Sequence, residues 1–91
     1  MTAFRPGDAI AVPCELAPGP FSDERLITVD TVDGPISGFV QTYDLKETGG
    51  QWFVRGSVVR EHPDSVEVRI RGSFFNTNGV ASISRDAAFA A

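Results

Sequence analysis

The chain has 91 residues, 42% hydrophobic and 22% charged, which is the balance of one small folded domain spanning residues 1–91. Its single cysteine and single histidine exclude an intramolecular disulfide and a zinc site built from Cys and His ligands. Because no hydrophobic run approaches the length of a membrane span and the N-terminus carries no apolar leader, we expect a cytoplasmic protein that does not enter a membrane.

The net charge is −4, which disfavours a general nucleic-acid binder, since such proteins present a basic surface. The charge is unevenly distributed. Residues 1–50 carry eight acidic and three basic side chains, whereas residues 51–91 carry five arginines and four acidic side chains. Nucleic-acid binding therefore stays an alternative, based on Arg55, Arg60, Arg69 and Arg71.

Short strand patterns bounded by turn residues recur along the chain, and helix patterns are nearly absent. This predicts an all-β, SH3-like barrel of five to six short antiparallel strands with at most one short terminal helical turn. The first strand is expected over Asp8–Leu16, where every second residue from Ile10 onward is apolar. Pro13 cannot donate to a sheet, so it predicts an edge or a bulge there.

The segment from Ala17 to Asp23 contains two prolines and a glycine, which predicts a loop. Phe21 lies in its middle and has two interpretations: it covers the barrel as a lid, or it is an exposed contact residue. A second strand follows over Arg25–Asp33, and Asp33-Gly34 is a strong hairpin signal, although Pro35 could lengthen the loop.

The third strand is expected over Ile36–Tyr43, and its adjacent Phe39 and Val40 must point to opposite faces. After a turn at Glu47–Gly50, the fourth strand is expected over Gln51–Glu61.

A fifth strand over Ser65–Gly72 completes a hairpin with the fourth. Either Val58 or Val59 could lie opposite Val68, and because both are apolar the pattern does not choose between them.

Two adjacent phenylalanines, Phe74 and Phe75, follow the fifth strand. One can pack in the core, and the other is expected to be exposed as part of an interface. A last strand is expected over Val80–Ile83, followed by a helical turn over Arg85–Phe89 with Ser84 as its N-cap.

The stretch Asp33-Gly34-Pro35-Ile36-Ser37-Gly38-Phe39-Val40-Gln41-Thr42-Tyr43-Asp44-Leu45 resembles the pattern of bacterial SH3-like domains. In that pattern a glycine turn leads to Gly-Trp-Val and then to an aromatic residue and a leucine. Here Phe39 replaces the tryptophan, the glycines are one residue further apart, and Asp44 separates the aromatic residue from the leucine. The resemblance implies a barrel whose contact surface lies between the 18–23 loop and the 47–50 turn. The implied contact residues are Phe21, Phe39, Tyr43 and Trp52.

Catalytic and metal-binding patterns are sparse. Cys14 lies on the apolar face of its strand, and His62 lies in an exposed hairpin turn, so neither is expected to act in catalysis. Four carboxylates could converge on a divalent cation, but they lack the spacing of a dedicated site. These are Asp23, Glu24, Asp30 and Asp33. We therefore predict no catalytic residue, no metal and no cofactor.

Arg55, Arg69 and Arg71 are expected to share the outer face of the 51–72 hairpin, where Glu67, other acidic groups or a partner would neutralise them. The sequence thus predicts a non-catalytic binding module that docks a protein partner, or a second copy, through aromatic side chains. The alternatives are a nucleic-acid-binding barrel and, less favoured, an enzyme. The predicted contact residues are Phe21, Phe39, Tyr43, Trp52, Phe75, Arg55, Arg69 and Arg71.

Overall fold

The computed structural model describes residues 4–18, 23–75 and 77–90. In these ranges the chain forms nine antiparallel strands and two 3-10 turns, which confirms the all-β prediction. The strands are β1 (Ala9–Pro18), β2 (Glu24–Thr31), β3 (Gly34–Gln41), β4 (Leu45–Thr48), β5 (Gln51–Glu61), β6 (Ser65–Ile70), β7 (Ser73–Phe74), β8 (Val80–Ser84) and β9 (Phe89–Ala90). The 3-10 turns cover Thr42–Asp44 and Arg85–Ala87. Six strands match the predicted ones, whereas β4, β7 and β9 are short additions that the sequence pattern did not indicate.

One curled sheet contains all of these strands, in the order β7-β3-β2-β1-β5-β6-β8, with β4 beside β5 and β9 beside β1. Strand β1 is central: its first six residues pair with β5 and its last four pair with β2. The sheet curls until the backbone N–H of Val32, just after β2, donates to the carbonyl oxygen of Ser82 in β8 at 2.9 Å. The fold is therefore barrel-like. Its described helical segments are single turns, too short to cross a membrane.

The core fills the inside of this curl and consists almost entirely of aliphatic side chains. Alternate residues of each long strand point inward, as the period-2 patterns predicted. The fully buried side chains are Ile10, Val12, Ile27, Val29, Val40, Val54, Val66, Val68, Ile70 and Ile83. Burial of each stabilises the fold by about 1.5–3 kcal/mol.

The β5–β6 pairing settles the register that the sequence left open. Val58 lies opposite Val68, and Arg60 lies opposite Glu67, so Val59 is an extra residue in a β-bulge. Both valines are apolar, but only Val58 is buried in the core. The bulge shifts the register of β5 by one residue, which places Glu61 opposite the buried Val66.

Glu61, the last residue of β5, links β5 to segments near both ends of the described chain. The Oε2 atom of Glu61 accepts a hydrogen bond from the backbone N–H of Phe4 at 3.0 Å and another from the guanidinium of Arg85 at 2.5 Å. The same guanidinium lies 5.9 Å from the centre of the Phe4 ring, a cation–π distance. Both hydrogen bonds lower the pKa of Glu61 below its usual value, and the one from the Phe4 backbone has the larger effect.

Two local predictions need correction, whereas the one for Pro13 is confirmed. Pro13 lies opposite Phe53 of β5, and the other side of β1 there pairs with neither β9 nor β2, so β1 has a local edge at this residue. The β2–β3 loop is not lengthened by Pro35, because Thr31 already pairs with Gly34. The helical turn after β8 ends at residue 87, and the Ser84 side chain makes no cap hydrogen bond.

Candidate binding surface

An apolar groove lies on the outer face of the sheet where β9, β1, β5 and β4 are neighbours. We call it the aromatic groove. It encloses about 630 Å³. The side chains that define it are Ala9, Ala11, Tyr43, Lys46, Phe53, Arg55 and Phe89.

Strand alternation explains how these side chains reach the outer face. Val54 is buried, so its neighbours Phe53 and Arg55 point outward. Phe89 lies opposite Ala11 across the β1–β9 pair, and its ring packs edge-on against the Phe53 ring with the centroids 5.7 Å apart.

Two aromatic side chains of the groove are exposed. Tyr43, in the turn before β4, exposes 72% of its surface, and Phe89 exposes 49%. Large exposed aromatics around a floor of small residues form a surface that another apolar side chain can fill.

A second groove, of about 490 Å³, adjoins the first. Arg55, Arg69 and Arg71 line it together with Asp44 and the backbone of three glycines. The strand register brings the arginines together, since Arg69 lies opposite Ser57, and Arg71 follows Ile70, which lies opposite Gly56, the neighbour of Arg55. We call this the arginine groove. The structure thus unites three residues that the sequence analysis had grouped.

The arginine groove is not neutralised from within the described part of the chain. Within the described residues, the salt bridge is Arg85–Glu61, and neither of its residues lines the arginine groove. Glu67, the predicted neutralising residue, lies opposite Arg60 instead. Asp44 lines both grooves, but its Oδ2 is buried and has no hydrogen-bond partner among the described residues.

The two grooves share Ala9, Asp44 and Arg55 and so form one continuous surface. The charged side chains along it are Lys46, Arg55, Arg69, Arg71 and Asp44. Four positive charges and one negative charge give a local excess of positive charge on a chain whose net charge is −4.

Phe39 and Phe75 lie elsewhere. They form an edge-on ring pair, with the centroids 5.7 Å apart, on the outer face of β3 and β7. Phe75 exposes 61% of its surface, whereas Phe74 packs against the core, which confirms that one residue of the pair is core and the other exposed. Neither Phe39 nor Phe75 lines the aromatic or the arginine groove.

Trp52 does not join the exposed aromatics. It lies opposite the buried Cys14 and packs against the core, on the same face of β5 as Val54. Phe21 lies outside the described residues. Of the three implied aromatic contacts that the structure describes, Phe39, Tyr43 and Trp52, only Tyr43 therefore lines a groove.

The sequence analysis missed Phe53 and Phe89 as surface residues. A signal for Phe53 was available, because its neighbour Val54 continues the inward alternation of β5 and leaves Phe53 on the outer face. Phe89 had no such signal. It belongs to a two-residue strand within an alanine-rich segment that the pattern assigned to a helical turn.

The titratable groups of the described chain offer little chemistry. Burial of Cys14 raises the pKa of its thiol to about 11, which keeps it protonated and unreactive at neutral pH. His62 lies at the β5–β6 hairpin, where its backbone N–H donates to Ser65 at 2.9 Å. Within the described ranges, no three His, Cys, Asp or Glu side chains come together as metal ligands. The four carboxylates considered as a divalent-cation site therefore do not form one; these are Asp23, Glu24, Asp30 and Asp33.

No family model, curated protein or solved structure matches this chain. The resemblance to SH3-like domains consequently stays a prediction from the 33–45 stretch.

Proposed function

We propose that this protein is a non-catalytic binding module that docks a protein partner through the aromatic groove. The observation that carries the proposal is the exposure of Tyr43 and Phe89 at the edges of a groove floored by Phe53 and small side chains. Aromatic side chains dominate the energetics of protein interfaces because they bury a large area at a small cost in side-chain entropy.

The rigidity of the site supports this function. Phe53 is held by strand pairing on both sides, to Pro13 of β1 and to Lys46 of β4. The Phe53–Phe89 contact orients the second ring. A site built on strands in this way loses little conformational freedom when a partner binds.

Site-specific photo-crosslinking tests the proposal. A benzophenone amino acid replaces Tyr43 in the full chain, and the protein is incubated in a nuclease-treated lysate of the source organism. We expect a stoichiometric protein adduct that disappears when Phe89→Ser is added. The matched control places the same crosslinker at Phe75, which is similarly exposed but outside the groove. Circular dichroism verifies that each variant folds.

Three outcomes decide the matter. An adduct at position 43 that depends on Phe89 supports the proposal, and its mass distinguishes a foreign partner from a second copy of this chain. Equal adducts at positions 43 and 75 contradict the groove as the docking site. Absence of any adduct contradicts a protein-docking function.

Nucleic-acid binding is the second candidate, favoured by the arginine groove. If its three arginines contact phosphates, the logarithm of the binding constant should fall with the logarithm of salt concentration with a slope of about −2 to −3. Arg→Ala changes should weaken binding equally across sequences. This candidate ranks second because the chain is acidic overall and Arg60, the fourth arginine of the hairpin, does not line the groove.

A further inference from the structure

We infer that the partner segment is an acidic peptide that crosses both grooves, with an apolar side chain in the aromatic groove and carboxylates in the arginine groove. This inference rests on the proposed docking function and adds the chemistry of the partner.

The arginine groove carries positive charge that forms no ion pair within the described residues. Arg55, Arg69 and Arg71 converge on one groove and make no ion pair with the described acidic side chains. Like charges on neighbouring strands are destabilising. A guanidinium matches a carboxylate in two parallel hydrogen bonds, so carboxylates from outside are the complementary ligand.

Residues of the two grooves lie along one row that crosses neighbouring strands of the sheet. Phe89 of β9 lies opposite Ala11 of β1, which lies opposite Arg55 of β5. Arg71, which lines the same groove as Arg55, directly follows Ile70 of β6, the residue opposite Gly56. This row spans three strand spacings, about 14 Å at about 4.8 Å each. An extended peptide covers that length in about four residues, at about 3.3 Å per residue. The apolar side chain and the carboxylates of the partner should therefore be about four residues apart.

The distribution of charge along the two grooves favours a peptide over a nucleic acid. The basic surface is short, and Asp44 lies where the two grooves meet. A run of phosphates would meet this carboxylate and the negative field of a chain with net charge −4. A peptide can place carboxylates beside the arginines and an uncharged residue beside Asp44.

Peptide selection tests the inference. A random 12-residue library displayed on phage is selected on the immobilised full chain. We expect the selected sequences to carry an aromatic residue or leucine about four residues from two or more Asp or Glu residues. A synthetic peptide from this set, labelled with a fluorophore, is then titrated with each variant while its anisotropy is measured.

We expect the double variant Arg69→Glu/Arg71→Glu to bind the peptide at least tenfold more weakly. Replacement of the carboxylates of the peptide by amides should cause the same loss of affinity. Phe89→Ser should also weaken binding of the peptide, because it removes an apolar contact without changing the charge of the protein. Phe75→Ser, outside both grooves, is the matched control and should bind like the natural protein. A labelled 12-nucleotide oligothymidine is titrated in parallel.

The outcomes separate the two proposals. Selected peptides without acidic residues, lost with Phe89→Ser but unaffected by the arginine changes, would overturn the inference and leave the docking function intact. Failure to select any groove-dependent peptide would overturn both. Tighter, arginine-dependent binding of the oligothymidine would replace the acidic peptide by single-stranded nucleic acid.

Discussion

Reversing one charge of the arginine groove should stabilise the free protein while it weakens binding. Arg71 follows Ile70, which lies opposite Gly56 beside Arg55, and it comes two residues after Arg69; all three arginines line the arginine groove. Both neighbours are cationic and unpaired with described acidic side chains. Arg71→Glu therefore converts two repulsions into attractions, while Asp44, on the same groove, opposes part of the gain.

The size of the effect follows from these positions. Side chains at diagonal or alternate positions of a sheet are about 7 Å apart, and two unit charges at that distance in water interact by about 0.6 kcal/mol. Reversal of the charge changes each interaction by about twice that value. Because Asp44 offsets about one of the two changes, the net gain is about 1 kcal/mol at low salt. At 0.15 M salt, where the Debye length is about 8 Å, about half of it remains.

Urea unfolding of the natural protein and Arg71→Glu, at 10 mM and 150 mM salt, measures this gain as a difference in unfolding free energy. In thermal unfolding it corresponds to a rise in Tm of about 2–8 °C. The matched control is Arg60→Glu, which places a carboxylate opposite Glu67 and should destabilise the protein. A loss of stability in Arg71→Glu, or a gain that does not shrink with salt, would refute unrelieved repulsion in the groove.

Three further predictions concern the barrel itself. The pKa of Glu61 is lower in the folded than in the unfolded chain, so its stabilisation is present above the unfolded pKa and is lost as pH falls through the folded pKa. Glu61→Gln should thus lower the unfolding free energy at pH 7, and the difference from the natural protein should shrink as the pH falls through the folded pKa; a constant difference would contradict this. Cys14, with a pKa of about 11, should react with iodoacetamide at pH 8 about 100-fold more slowly than in urea, and equal rates would show that it is accessible. In Gly38→Ala the added Cβ would lie 2.6 Å from the Ser73 carbonyl oxygen, so β7 should detach and Phe75 amide signals should shift in NMR spectra; unchanged signals would contradict the close packing.

The amino-acid sequence by itself determined the all-β class, the positions of the six longer strands and the inward faces of most of them. Ile10, Val12 and Cys14 share the buried face of β1, and the adjacent Phe39 and Val40 of β3 point to opposite faces. These properties were accessible because alternation has a period of two residues and turn chemistry is local, so each is encoded within a few neighbouring positions.

Only the tertiary structure decided how these segments meet. The β5–β6 bulge selected Val58 over Val59, a choice that depends on the facing strand rather than on either valine. The pairing of β9 with β1 brought Phe89 to Phe53, although a two-residue strand has no periodicity to detect. Both grooves arise where distant segments pair. Their composition depends on long-range register, which a local pattern does not encode.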